Sequence, residues 1–301
     1  MTVCIAAICQ ISIEQQIVIG AADHKVTAGD IQFEPDTQKI YYFNSHGGII
    51  GLMAGDLAAQ KEICDCVWYR QPQSVREAVR FYCRELGEFN KRQAEQIVLA
   101  PLGLTMESFL QDQQRMSPDF AEQIRYDMRQ ERAEIETIIC GVDVSRVAQI
   151  YTVEPDGRSS CNNSTGFTAI GDGANHALSQ FMFARYTPRT LMSHALMLTY
   201  TAKKRAEVAP GVGRDTDLFF VADRGFSNFH EPIVGGLEDA FQRMRQAQET
   251  AMEESNRFLD DFMAQLVAKG GEQAQAPEQP PPPPPVEEGK TPPKRKPRKR
   301  K

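Results

Sequence analysis

The chain has 301 residues, 34 Lys/Arg against 40 Asp/Glu, a formal net charge of −6 and 41% hydrophobic residues. That balance is close to the average of folded domains. It excludes a wholly disordered chain and a collagen-like one, and no apolar run reaches the roughly 18 residues that a membrane helix needs. From Gly270 onward the net charge is +4 and over the rest it is −10, so an acidic body carries a basic tail. The seven cysteines are odd in number and show no CxxC spacing. They read as reduced thiols, and the apolar run Met1–Cys9 has no basic residues ahead of it, so the expected location is cytoplasmic, with no membrane contact.

In chain order, Val3–Ile8 and Ile17–Ala22 read as two buried strands joined in a hairpin across Glu14, Gln15 and Gln16. Lys39–Phe43 and Ile49–Met53 read as a second strand pair around the glycine-bearing turn Asn44–Gly48. Helical spacing follows: Leu57, Ala58, Ile63, Val67 and Trp68 in one stripe, then Val75, Val79, Tyr82, Leu86 and Phe89 in another. Ser74 with Glu77 three residues later predicts a capping box. Residues 97–134 read as an added helical segment, with Thr105 and Ser117-Pro118 as start signals.

Strands return at Thr137–Val142 and Ala148–Val153, and Pro155-Asp156-Gly157 is a turn. Ile170-Gly171-Asp172-Gly173 leads into two more helices ending about Ala206, and Leu218–Ala222 is a last strand. Blocks of strands and helices grouped in this way predict α+β layers rather than alternating βαβ units. The expected organisation is a folded domain over 1–235, an amphipathic helix over 236–269 stopped by Gly270-Gly271, and a Pro-rich, basic, disordered tail over 270–301.

One constellation carries chemistry. Thr2 follows a Met that aminopeptidase removes when the next residue is small. An N-terminal threonine holds a hydroxyl nucleophile and an α-amine base in one residue, and the amine's reference pKa of about 7.7–8.0 suits proton transfer near neutrality. Asp23 ends the second apolar run, and Lys39 begins the next strand 16 residues later.

The chain here resembles the proteasome β-subunit family and its bacterial relatives, which are N-terminal nucleophile hydrolases. The residues that carry the resemblance are Thr2-Val3-Cys4-Ile5-Ala6-Ala7, Ala21-Ala22-Asp23-His24-Lys25-Val26-Thr27-Ala28-Gly29, Lys39-Ile40, Met53-Ala54-Gly55 and Ala169-Ile170-Gly171-Asp172-Gly173. They span about residues 2–223 in the family's order, with 97–134 unusually long. The resemblance implies a four-layer αββα sandwich and a threonine peptidase or amidase. It makes Thr2 the nucleophile and its amine the base. Lys39 would activate the hydroxyl, Asp23 would orient Lys39, and the Gly55 N–H would help hold the oxyanion. Thr27 would pair with an extended peptide, and Val26, Met53 and Leu57 would line the primary specificity pocket. It also implies a peptide or protein substrate and a homo-oligomer, a ring among the forms, and leaves any ATPase partner open.

The chain departs from the family's pattern in its supporting residues. Asp172 stands where the family has a serine, Glu207 where it has an aspartate near the threonine amine, and Pro210 where it has another serine. Two other readings are an inactive proteasome-like scaffold, and a polyanion-binding or assembly protein working through the tail, whose last eight residues hold seven positive charges. Cys4 is a rival nucleophile, with a buried strand cysteine as the plainer reading. The five histidines are scattered, with neither HExxH nor a Cys/His cluster, and no phosphate-binding loop is present. No metal and no cofactor are therefore expected.

Overall fold

A computed structural model describes residues 2–13, 15–28, 31–33, 39–143 and 146–273, with backbone alone at 27, 28, 31–33 and 268–273. The chain divides into two compact units, Met1–Arg243 and Met244–Lys301. Among the described residues the fold is α+β, with two five-stranded antiparallel sheets, one two-stranded ribbon and seven α-helices.

The first sheet runs β10-β1-β2-β11-β12, made of β1 (Cys4–Ser12), β2 (Gln15–Asp23), β10 (Phe167–Ile170), β11 (Thr216–Ala222) and β12 (Gly225–Asn228). The second runs β5-β6-β7-β8-β9, made of β5 (Ile40–Tyr42), β6 (Ile49–Gly55), β7 (Ile135–Val142), β8 (Ala148–Val153) and β9 (Ser159–Cys161). The ribbon is β3 (Val26–Ala28) with β4 (Ile31–Phe33).

Side chains of a strand alternate between its two faces, and this explains why β1 and β2 read as unbroken apolar runs: both faces are covered. Val3, Ile5, Ala7, Cys9, Ile17, Ile19 and Ala21 join a core with α5 (Ala174–Phe183) and α6 (Met192–Ala206). Cys4, Ala6, Ile8, Val18 and Ala22 point the other way, into a second core with Ile50, Leu52, Ala54, Ile138 and Cys140 of the other sheet. That sheet's outer face places Ile49, Met53, Ile135 and Ile139 in a third core with α1 (Leu57–Tyr69) and α2 (Val75–Ala94).

The start signals form much as read. Ser74 Oγ accepts from Glu77 N at 3.2 Å, but the Glu77 carboxylate reaches back to Gln73 N at 2.8 Å rather than to the cap residue. The 97–134 segment continues α2 as a π turn and a 3₁₀ turn to Leu102, then forms α3 (Met106–Asp112) and α4 (Pro118–Gln130) over a small core of Leu99, Phe109 and Ile124.

Five short strands, β3, β4, β9, β10 and β12, were not foreseen, because three or four residues carry too little alternation to read. Gln15 and Gln16, expected in the hairpin turn, already belong to β2, where Gln16 pairs with Gln10 across an irregular register. The helix expected over 236–269 is α7, Ile233–Gln273, and it passes through Gly270 and Gly271. A glycine costs a helix only about 1 kcal/mol, and no proline follows until Pro277. The tail expectation from residue 274 on lies outside the described residues.

In the first unit Val234 and Phe241 of α7 pack on the first core. In the second unit the helix exposes Phe258, Leu259, Phe262, Met263 and Leu266, with the Phe258 and Phe262 rings stacked at 6.5 Å. No helix among the described residues is long and apolar enough to cross a membrane.

Candidate active site

Antiparallel pairing brings Thr2, Asp23 and Lys39 together at one end of both sheets. Cys4 pairs with Ala22 and with Ile170, and Asp23 pairs with Thr216, so the start of β1, the end of β2, the end of β10 and the start of β11 share that end. The Asp23 N–H donates to Val3 O at 3.2 Å and extends the ladder by one residue, which sets Thr2 beside Asp23. In the second sheet Lys39 precedes β5, and its carbonyl accepts from Met53 N at 3.3 Å.

Thr2 is 2% exposed, Asp23 0% and Lys39 5%. The Thr2 hydroxyl donates to Asp23 Oδ1, and Lys39 Nζ donates to Thr2 Oγ1. Lys39 Nζ also donates to Asp23 Oδ1 at 2.9 Å and to Lys25 O at 2.6 Å, so all three ammonium protons have acceptors. Asp23 Oδ1 takes the Val3 N–H at 2.9 Å, and Oδ2 takes Lys25 N at 3.2 Å and Gly213 N at 2.8 Å. A buried ion pair is favourable only when its remaining hydrogen-bonding capacity is met, and here it is.

Glycines let the chain close around the threonine. The N–H of Gly173 donates to Thr2 O at 3.2 Å. Gly171, at φ +84°, approaches so closely that a Cβ there would lie 2.5 Å from Thr2 O. Its own N–H donates to Glu136 Oε2 at 2.8 Å. Gly55, at φ +115°, passes over Glu134, where a Cβ would sit 1.7 Å from the carbonyl oxygen. Alternate N–H groups of an antiparallel strand share a side. Since Met53 N–H is spent on Lys39, the Gly55 N–H projects from that same side, two residues further along.

Two cavities flank Thr2, with Ala54 and Gly55 on the rim of each. The first, about 450 Å³, is lined by Val26, Met53, Leu57 and Gln60 as well as Lys25 and Lys39. The second, about 390 Å³, carries Glu134, Glu136 and Asp172. Val26, Met53 and Leu57 gather on the wall of the first cavity beside Thr2. Thr27 sits in β3 in register with Gln32, and its side chain lies outside the described residues. Asp172 borders Thr2 through the second cavity.

Glu207 is engaged elsewhere: its Oε1 takes Lys203 Nζ at 2.7 Å and faces Lys204 Nζ at 3.5 Å. Pro210 contributes its carbonyl, which accepts from Lys25 Nζ at 3.2 Å. Cys4 is fully buried, its Sγ 3.6 Å from Met53 O, and burial pushes its thiol up to about 12. A thiol held protonated is a poor nucleophile. Among the described residues no group of His, Cys, Asp and Glu is placed to hold a metal ion.

Gly213, Glu136, Lys203 and Gln60 were missed by sequence reasoning. Gly213 reaches Asp23 across 190 positions, and no local pattern announces such a contact. No family model matches the chain, and no curated protein is similar to it in sequence.

Proposed function

We propose that the chain is a proteasome-like N-terminal nucleophile hydrolase that cleaves peptide or amide bonds with Thr2. The observation that carries this reading is the Thr2 hydroxyl, held between Asp23 and Lys39 with a cavity on either side. The order of helices, sheet, sheet and helices around three cores agrees with the αββα sandwich of that superfamily.

In this reading, removal of whatever precedes Thr2 frees its α-amine. Thr2 Oγ attacks the substrate carbonyl carbon and its proton passes to the amine. Lys39 favours the developing alkoxide through its charge, and Asp23 keeps Lys39 in place. The tetrahedral oxyanion forms near the Gly55 N–H, a contact that strengthens as charge builds. The C–N bond then breaks, the leaving amine takes the proton, and water hydrolyses the Thr2 ester. The apolar cavity would take the substrate side before the scissile bond and the acidic cavity the side after it.

The test is intact mass before and after a peptide epoxyketone, which reacts with both the hydroxyl and the amine of an N-terminal threonine. Protein with a free Thr2 should gain one adduct and hydrolyse peptides; Thr2→Ala should do neither, and Thr2→Ser should keep part of both. A free Thr2 that is neither labelled nor active refutes the reading.

A further inference from the structure

The parts of the candidate site come from two sheets. Thr2 and Asp23 stand at the end of the first, and Lys39 and Gly55 at the end of the second. Their mutual placement is set by the ties between the sheets at that end. One tie is the buried contact of Lys39 with Thr2 and Asp23, on the side of the first cavity. Another lies on the side of the second cavity. There Glu136 of β7 accepts the N–H of Gly171, in the turn after β10, at Oε2 and 2.8 Å.

Strand alternation gives Glu136 its reach. Glu136, Ile138, Cys140 and Val142 share one face of β7, and the last three are buried in the core between the sheets. Glu136 is the charged member of β7, set at the exposed end of that inner face. Its carboxylate can therefore cross to the first sheet without being buried. The start of β7 is itself held by the rim of the site. Ala54 pairs with Glu136, Gly55 pairs with Ile135, and the Asp56 N–H donates to Glu134 O at 3.2 Å. The strand start that carries the Gly55 rim thus also holds the Gly171 turn.

That turn grips Thr2 by its carbonyl, through the Gly173 N–H and the close approach of Gly171. Asp23 and Lys39 fix the other end of the residue, its hydroxyl. Anchors on the carbonyl and the side chain together decide where the third substituent of the Thr2 Cα, the amine, stands relative to the hydroxyl. Resting on the peptidase reading above, we propose that Glu136 is a positioning residue of the reaction. By holding the Gly171 N–H it fixes the 171–173 turn, and through the turn it sets the Thr2 amine against the hydroxyl and both against the Gly55 N–H. The property that matters is the reach of an acceptor oxygen, and the negative charge is incidental. A displacement of about 1 Å at a reacting group can cost about a hundredfold in rate.

The experiment uses the full chain with a free Thr2, a coumarin-amide peptide and the matching peptide epoxyketone. Glu136→Ala, Glu136→Gln and Glu136→Asp are compared with the wild type. Gln keeps the reach and an acceptor oxygen but loses the charge; Asp keeps the charge but is one methylene short. In Glu136→Ala and Glu136→Asp, kcat and the labelling rate should fall about tenfold or more with KM little changed. Glu136→Gln should recover most of that loss. The side chain is exposed, so all three variants should fold, and melting temperatures check this. Recovery by Asp, or failure to recover by Gln, overturns the proposal. So does wild-type kcat in Glu136→Ala, even at a lowered melting temperature, because the bond is then structural only. Those results leave the peptidase reading standing. A wild type that neither turns over the peptide nor takes the label overturns both.

Discussion

Lys203 and Asp23 are joined through a single residue. Gly213 donates its N–H to Asp23 Oδ2 at 2.8 Å, and its carbonyl accepts from Lys203 Nζ at 3.0 Å. Lys203 is fully buried; it also donates to Arg214 O at 2.6 Å and pairs with Glu207. The 213–214 turn is thereby pinned at the distance that lets Gly213 reach the site's carboxylate. Glu207 is thus linked to Asp23 through Lys203 and Gly213, with no hydrogen bond to Thr2 itself among the described residues.

Lys203→Met should therefore disturb both stability and chemistry. It strands two carbonyls and leaves Glu207 with Lys204 alone, which costs about 2–4 kcal/mol. Urea denaturation would measure that loss. Turnover should fall through kcat with KM little changed, because the substrate cavities are not touched. A variant that loses stability at unchanged kcat would show that the turn is structural only.

The site's central spacing was legible in the sequence, and much of its support was not. Asp23 and Lys39 stand at the edges of apolar runs, and it was the resemblance that gave their 16-residue spacing a meaning; that they stand on different sheets comes from the strand pairing. The alternation of Val3, Ile5 and Ala7 against Cys4, Ala6 and Ile8 was hidden, because a strand covered on both faces shows no polar side. Lys203 is one of three basic residues in the last turn of α6, with nothing local to set it apart. Its burial depends on the turn at Gly213, which no periodicity encodes. Gln60 sits in the first turn of α1, where polar residues are common, and only packing marks it as orphaned. The long helix outran its expected end because glycine is a weak stop.

Lys39 separates the catalytic reading from a plain ion pair. Lys39→Ala removes the positive charge from the Thr2 oxygen and leaves Asp23 buried without its partner. Turnover should drop about a thousandfold or more, and stability should fall by about 3–5 kcal/mol. Lys39→Arg should restore little, since a planar guanidinium cannot meet Thr2 Oγ1, Asp23 Oδ1 and Lys25 O from one nitrogen. Initial rates at saturating peptide, alongside denaturation curves, distinguish the effects. Activity that survives Lys39→Ala in a folded protein with a free Thr2 would remove Lys39 from the mechanism.

Alkaline pH should weaken the fold through its buried thiols. Burial pushes Cys4 and Cys9 from 9.0 up to about 12 and moves Cys64 and Cys140 in the same direction. The unfolded chain loses each thiol proton near pH 9, while the folded chain keeps it. Between those values the folded state binds more protons, so stability falls as pH rises. The contribution is complete below pH 9 and is lost progressively toward pH 12, at about 1.4 kcal/mol per pH unit for each fully titrating thiol. Lys203 works the other way: burial lowers it from 10.5 against the pull of Glu207, so its charging penalty fades as pH rises. One lysine against four thiols leaves the net slope negative. Urea midpoints taken under reductant at pH 8, 9, 10 and 10.5 should hold steady and then decline. Cys9→Ala, in the core against α5 and α6 and away from Thr2, should flatten that decline by about one proton's worth. A midpoint that stays level to pH 10.5 in both proteins would contradict the burial of these strands.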